Sequence, residues 1–170
     1  MKRTPILLAL SVLVPVSAAR AAWTVDKERG SIHDGPIEIG VEPDPLHEGG
    51  IVLKKVWQAP KGDWSLDSLP RVEADTGLRP TAIEGSFAAW HYGLRSFALP
   101  DTVRSIGRAA FYSCENATNA LALPSQLEEL GRAAFMGCRN LRGDVAIPML
   151  DGENDDDEDC EFYFGVQLQY

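Results

Sequence analysis

A period of 24 residues restricts the fold of this chain more than any other feature of its sequence. Two residue types mark the period, each three times at a spacing of 24: Pro100, Pro124 and Pro148, and Phe87, Phe111 and Phe135. A fixed period of this length indicates one supersecondary unit that is stacked on itself. Proteins built in this way usually bind partners along an extended surface, so the period also bears on function.

The two units between residues 99 and 148 agree at many positions. Apolar residues follow the proline by three, six and eleven residues, and a cysteine follows the phenylalanine by three: Val103, Ile106, Phe111 and Cys114, then Leu127, Leu130, Phe135 and Cys138. Apolar and small residues alternate before each proline, at Phe97 and Leu99, Leu121 and Leu123, and Val145 and Ile147. This alternation predicts short strands that end at the proline. The spacing of three after the proline predicts a helical or 3-10 turn on the opposite face.

These units resemble the leucine-rich repeats of the BspA-type family, which read roughly Ile-Pro-x-x-Val-x-x-Ile-Gly-x-x-Ala-Phe-x-x-Cys-x-x-Leu. Residues 99–122 and 123–148 fit the pattern, and a degenerate unit around Ile83 to Pro100 has Trp90 where cysteine stands later. The resemblance implies an α/β repeat solenoid with parallel strands and short helical or 3-10 turns. It also implies a secreted or cell-surface protein that binds other macromolecules.

The chain divides into four parts by composition and pattern. Residues 1–22 read as a signal peptide, and 23–52 as an N-terminal cap with candidate strands at Ile37–Val41 and Ile51–Val56. Residues 53–148 form the predicted solenoid, which residues 61–80 interrupt as an insertion. Residues 149–170 combine an acidic loop with a closing strand, because apolar side chains occupy every second position from Cys160 to Tyr170.

The signal peptide prediction depends on three features. Lys2 and Arg3 are positively charged, Ile6 to Val16 is a short apolar stretch, and small residues surround a cleavage point before Ala22. The apolar stretch is shorter than the roughly 20 residues that a transmembrane helix needs. We therefore expect a secreted, periplasmic or cell-surface protein whose mature chain has no membrane span and is a monomer.

Negative charge is concentrated at one end of the chain. Residues 151–170 hold eight acidic residues and no lysine or arginine, whereas the other 150 residues hold 17 acids and 16 bases. The absence of a basic patch argues against nucleic-acid binding. The acidic stretch contains weak calcium-ligand candidates, Asp151, Glu153, Asp155, Asp157 and Asp159, but Asp156 stands where an EF-hand loop requires glycine. A solvated loop is the favoured reading, and no cofactor or metal is expected.

Three cysteines allow at most one disulfide. Cys138 and Cys160 are a weak candidate pair, because neighbouring rungs of a stack are about 4.8 Å apart. A column of small buried thiols is the favoured alternative.

Candidate binding residues lie at the outward positions of the predicted strands: Ser96, Ala98, Ala120, Ala122, Asp144 and Ala146. These small residues either form the floor of a ligand site or lie beneath another part of the chain. Among the tryptophans, Trp57 and Trp90 fall at predicted core positions. Trp64 lies in the predicted insertion and is therefore the exposed candidate.

The sequence contains no catalytic motif. His33, His47 and His91 are scattered, and no G-x-S-x-G, H-E-x-x-H or phosphate-loop pattern is present. We expect a non-enzymatic protein that binds a protein or glycan partner, as in adhesion. Two alternatives stay open: a small secreted enzyme or enzyme inhibitor that works through residues 61–80, and a calcium-dependent surface protein that uses the acidic loop.

Overall fold

The computed structural model describes residues 22–142, and the regular secondary structure in this part of the chain is mostly β-strand. Several predictions concern residues outside this range: the signal peptide, the acidic segment, the closing strand, Asp144, Ala146 and Cys160. Within the range, nine strands, one 3-10 helix and one short α-helix follow in chain order: β1 (Thr24–Asp26), β2 (Ser31–Asp34), β3 (Ile37–Pro43), β4 (Gly50–Gln58), β5 (Trp64–Leu66), the 3-10 helix (Leu69–Arg71), α1 (Val72–Thr76), β6 (Arg79–Ile83), β7 (Leu94–Phe97), β8 (Ser105–Ile106) and β9 (Glu129–Leu130).

Seven strands form a first sheet in the order β1-β2-β3-β4-β6-β8-β9. The pairs from β1 to β4 are antiparallel, and those from β4 to β9 are parallel. A two-residue turn joins β2 to β3, and its Gly35 has a φ of 58°, which glycine adopts without steric cost. The candidate strands at Ile37–Val41 and Ile51–Val56 are confirmed as β3 and β4, and β4 is the strand at which pairing changes to parallel.

A second sheet runs beside the parallel half of the first one. It consists of β5 and β7 in parallel, and an isolated bridge between Ala120 and Arg142 continues the pattern in the next repeats. The segment 61–80 contributes β5 to this sheet as well as the 3-10 helix and α1. It is therefore integrated with the repeats, and its prediction as an insertion that interrupts them is wrong.

A third set of contacts joins successive repeats through their turns. The backbone N–H groups of Ser86, Ala88 and Trp90 donate to the carbonyls of Arg108, Ala110 and Tyr112, over 2.7–2.9 Å. One repeat later, Ala109, Phe111 and Ser113 donate in the same way to Arg132, Ala134 and Met136. These hydrogen bonds satisfy backbone groups that the sheets leave out, so the repeats contact one another on three sides.

The first repeat is one residue shorter than the sequence period indicates. Ile83 pairs with Ile106 at a spacing of 23 residues, whereas Ile106 pairs with Leu130 at a spacing of 24. The turn hydrogen bonds accordingly align Ala88, and not Phe87, with Phe111. The prediction that Phe87, Phe111 and Phe135 are equivalent is wrong for Phe87, and His91, not Trp90, holds the cysteine position.

Aromatic stacking follows the corrected alignment. Phe111 and Phe135 stack with ring centroids 5.4 Å apart and planes 11° apart, and Phe97 stacks on Phe111 at 4.3 Å. Phe87 instead meets Phe111 at a tilt of 66°. All four rings are buried between the two sheets and the turns, at the centre of the hydrophobic core.

Two details of the predicted repeat are wrong. Within residues 99–142 no helix follows the proline; a single turn closes from Pro100 to Val103, and the chain then enters β8 at Ser105. The strand predicted at Phe97 and Leu99 lies earlier, at Leu94–Phe97. The first difference arises because a spacing of three between buried residues fits a turn followed by a short strand as well as a helix.

Candidate binding surface

The outward side of the second sheet carries the small residues that the sequence pointed to. Ala120 and Ala122 are exposed, and Ser96 and Ala98 are half-buried. No part of residues 22–142 covers Ala120 or Ala122, so the described chain leaves this floor open. We call this surface, formed by Ser96, Ala98, Ala120 and Ala122, the sheet face.

Polar contacts hold the edge of the sheet face. The Ser96 hydroxyl donates to Asp67 Oδ2 over 2.6 Å, and Arg95 Nε lies 2.9 Å from Asp63 Oδ1. Both acceptors come from the segment 61–80, so this segment borders the face that the repeats form.

Asn119 fixes the position of Ala120, and sequence reasoning did not identify its role. Its carboxamide oxygen accepts from Phe97 N, while its Nδ2 donates to the carbonyls of Phe97 and Ala120. The side chain thus completes the hydrogen bonding between two repeats where no regular strand forms. The available signal was a carboxamide side chain directly before the alternating apolar and small residues from Ala120 to Leu123.

The expected burial of the tryptophans is wrong in all three cases. Trp64 is 7% exposed, because Trp64 and Leu66 both point into the core from β5. Trp57 and Trp90 are instead 50% and 59% exposed. The alternation Trp64-Ser65-Leu66 was a strand signal, and the reason for choosing Trp64 as an exposed ligand residue is therefore gone.

Trp57 lies across the neighbouring strand at Gly40. A Cβ atom at Gly40 would lie only 2.6 Å from Trp57 Cε2, so the indole covers the bare glycine backbone. An open groove of about 480 Å³ next to it contains charges of both signs. Lys54 in this groove is paired with Glu42 at 3.3 Å and also with Glu84. The groove therefore does not favour a ligand of one particular charge.

A second exposed surface lies on the turns of the repeats. It combines aromatic, sulfur-containing and cationic side chains, and we call it the turn face: Trp90, Tyr92, Arg108, Tyr112, Arg132 and Met136. Trp90 contacts Tyr112 with centroids 4.9 Å apart and Tyr92 at 6.4 Å. Sequence reasoning missed this surface because it aligned Trp90 with the buried cysteines.

Cys114 and Cys138 form a buried column, and each thiol donates to a carbonyl of the preceding repeat. Cys114 Sγ lies 3.1 Å from Ala88 O, and Cys138 Sγ lies 3.0 Å from Phe111 O. Both are unoxidised. The neighbouring Cys138 thiol and then burial raise the pKa of Cys114, which keeps it protonated and unreactive. His91 starts this column, and burial followed by the charge of Lys55 lowers its pKa.

One polar cluster contains residue types found in catalytic sites. Asp44 Oδ2 accepts from Thr81 Oγ1 at 2.6 Å and lies 2.9 Å from His47 Nδ1. Burial raises the pKa of Asp44, but hydrogen bonds from Thr81, the Leu46 N–H and His47 outweigh it and lower the pKa to about 2. Because Thr81 and His47 both bind the carboxylate, the histidine does not activate the hydroxyl. The cluster holds the loop between β3 and β4.

A second such cluster lies between β2 and β3. Ser31 Oγ lies 3.0 Å from His33 Nε2 and donates to Glu38 Oε1 at 3.2 Å, while Arg29 pairs with Glu38 at 3.4 Å. Ser31 is fully buried, so its hydroxyl does not face solvent. These contacts satisfy the buried Glu38 carboxylate.

Among residues 22–142, no three histidine, cysteine or acidic side chains lie together in a way that would hold a metal ion. The weak calcium candidates from Asp151 to Asp159 lie outside these residues. The same described part of the chain contains no helix with the length and apolarity needed to cross a bilayer.

Comparison with known proteins identifies the repeat region. Residues 82–148 match a family model described as the BspA type leucine rich repeat region (6 copies). The match begins in β6, the second parallel strand of the first sheet, and leaves out residues 22–81. No curated protein and no solved structure matches the chain.

Proposed function

We propose that the protein is a secreted or cell-surface binding protein, on the basis of the match of residues 82–148 to the BspA type leucine rich repeat region. Repeats of this family support interaction with other proteins and are in general not catalytic. We further propose that the repeats form a short solenoid, that β1 to β3 cap its N-terminal end, and that the chain is a monomer. The proposed role is recognition of a protein or glycan in adhesion, without catalysis.

The observation that carries this proposal is the exposed floor of the sheet face. Small side chains at Ala120 and Ala122 let a partner approach the backbone closely, and nothing within residues 22–142 covers them. The bordering contacts of Asp63 and Asp67 add polar groups of the kind found at the rims of interfaces.

One substitution tests the sheet face directly. The mature chain is used to capture its partner from host or envelope extracts, and the affinity of the purified partner is then measured. Ala122→Arg should weaken binding at least tenfold, since a long charged side chain blocks the floor. Ala74→Arg places the same side chain at an exposed site on α1 and should leave binding unchanged. Equal affinity for Ala122→Arg and the wild type would overturn the proposal.

Secretion is tested by mass spectrometry of the exported protein. Cleavage before Ala22 should give a mature chain of 149 residues, from Ala22 to Tyr170. Recovery of the full 170-residue chain from the cell interior would contradict the proposed location.

A further inference from the structure

The two arginines of the turn face stand at equivalent positions of adjacent repeats, and no acidic side chain of residues 22–142 pairs with them. Ala109 N donates to Arg132 O over 3.0 Å, and this bond brings the Arg108 and Arg132 positions side by side. Both side chains are exposed, and neither forms an ion pair with any of residues 22–142. Like charges directly opposite one another on neighbouring strands are destabilising.

On the first sheet, by contrast, two residues one repeat apart carry opposite charges. Arg104 and Glu128 are also one repeat apart, and their side chains form an ion pair. Within residues 22–142, an acidic residue of the next repeat thus neutralises an arginine on the first sheet, whereas none does so on the turn face. An unneutralised pair of guanidinium groups is a site for carboxylates, which arginine binds through two parallel hydrogen bonds.

Trp90 adds an independent sign of function on the same face. Its φ is 65°, and the equivalent residues of the next repeats are Ser113, at 57°, and Gly137, at 83°. A left-handed backbone is unfavourable for a bulky residue, yet Trp90 is also 59% exposed. The left-handed backbone recurs in each repeat and belongs to the turn, whereas the exposure of a large apolar side chain here is typical of a binding surface.

We propose that the turn face binds an acidic polypeptide segment that lies along the repeats. Carboxylates of the partner pair with Arg108 and Arg132, and one apolar side chain packs against Trp90 and Tyr112. The composition of the face supports a protein partner, because tryptophan, tyrosine, methionine and arginine are the residues enriched at protein interfaces. This surface is separate from the sheet face, so the inference goes beyond the function proposed above.

The test uses a fluorescein-labelled peptide of twelve or so residues in which aspartates alternate with phenylalanines. Its binding to the full chain is followed by fluorescence polarisation at low salt. The acidic residues 151–159 of the chain itself can compete with the peptide for the arginines. The measurement is therefore repeated in a variant with Asp155→Asn, Asp156→Asn and Asp157→Asn. Saturable binding is expected in at least one of the two proteins, and it should weaken as salt is added.

Variants assign the binding to the turn face. Arg108→Glu with Arg132→Glu should weaken the peptide at least tenfold, and Arg108→Gln with Arg132→Gln serves if the first pair disturbs folding. Trp90→Ser, which installs the residue of the next repeat, should weaken it about threefold or more while relieving backbone strain. Lys61→Glu removes an exposed cation from another surface and should have no effect.

Four results would overturn the inference. The first is the absence of peptide binding in both backgrounds. The second is equal loss of affinity in Lys61→Glu and the arginine variants, which would indicate non-specific attraction. The third is binding of a sulfated polysaccharide, but not the peptide, with the same sensitivity to Arg108 and Arg132, because the partner would then be an anionic glycan. Loss of peptide binding in Ala122→Arg alone would assign the peptide to the sheet face instead.

Discussion

At the scale of single residues, asparagine side chains replace the strand pairing that the short repeats lack. Asn119 makes three hydrogen bonds to backbone groups of Phe97 and Ala120. Asn116 and Asn140, one repeat apart, each donate Nδ2 over 2.7 Å to a carbonyl of the preceding repeat, at Tyr92 and Glu115. The Asn119 side chain thus replaces several of the backbone hydrogen bonds that would join two strands.

We expect Asn119→Ala to lower the free energy of unfolding by about 2–3 kcal/mol, because it leaves a backbone N–H and a carbonyl of Phe97 without partners. Asn140→Ala removes a single exposed hydrogen bond and should cost about 1 kcal/mol or less. Urea unfolding measures both values. Equal costs for the two variants would show that Asn119 does not join the repeats.

Asp44 makes the stability of the protein dependent on pH. Its pKa of about 2 in the folded chain lies below the ordinary value of 3.8, so protonation favours the unfolded state. The stability that Asp44 contributes should be complete above about pH 4 and be lost as pH falls towards 2. Thr81→Val removes the shortest hydrogen bond of the cluster and should reduce this loss.

Urea unfolding between pH 2 and pH 6 checks this prediction against Asp44→Asn, which cannot titrate. The difference in unfolding free energy between the wild type and Asp44→Asn should shrink as pH falls. A difference that stays constant with pH would contradict the lowered pKa.

The tryptophans show where reasoning about single residues failed. Ala120 and Ala122 are exposed on either side of the buried Leu121, as the alternation of the sequence indicates, although no regular strand forms there. Trp90 was misplaced because one residue is missing between Leu94 and Phe97 relative to the later repeats. A shift of one position moves a side chain from the core to the surface. The shift was not visible in the sequence, because Phe87 and Phe111 are 24 residues apart, as are Phe111 and Phe135.

At the scale of elements, repeats approach one another most closely at the glycine that follows β8 and β9. A Cβ atom on Gly107 would lie 2.8 Å from the carbonyl carbon of Glu84 and 2.9 Å from Gly85 Cα. Gly131 meets the backbone of Gly107 and Arg108 in the same way. Only glycine fits, since these obstacles are backbone atoms and cannot rotate away.

Gly107→Ala should therefore destabilise the protein by about 1–3 kcal/mol or more, as overpacking does. Gly62→Ala is the matched control, because a Cβ atom there has no neighbour within 4 Å, and it should change stability by less than about 0.5 kcal/mol. Thermal or urea unfolding of the two variants measures the contrast. A Gly107→Ala protein as stable as Gly62→Ala would show that the repeats are further apart than described.

The strands with the most regular sequence patterns were the easiest to predict. β3 and β4 follow from runs of apolar residues bounded by glycine and proline, and the stacking follows from the 24-residue period. The second sheet was harder, because β5 lies in a segment without the repeat motif. Three-residue spacings at Val103 and Ile106 also fit a helix, and only the pairing with β6 and β9 makes Ile106 part of a strand.

At the scale of the whole molecule, the described chain is a repeat scaffold with two uncovered surfaces. An antiparallel sheet from β1 to β4 extends one end of the parallel stack, and a phenylalanine stack fills the space between the sheets. The period predicted this stacking because each repeat buries its apolar side only against its neighbours. The partner was not predictable, since recognition depends on exposed side chains that the period does not constrain.

Hydrogen exchange of the complex tests the central claim, that the sheet face of the repeats binds the partner, most directly. Amide exchange is compared between the mature chain alone and the chain saturated with the partner that it captures. We predict slower exchange confined to the strands and connections of the sheet face, residues 94–98 and 118–123, and unchanged exchange in β1 to β3. Protection confined to β1 to β3, or the absence of protection at residues 118–123, would contradict the claim.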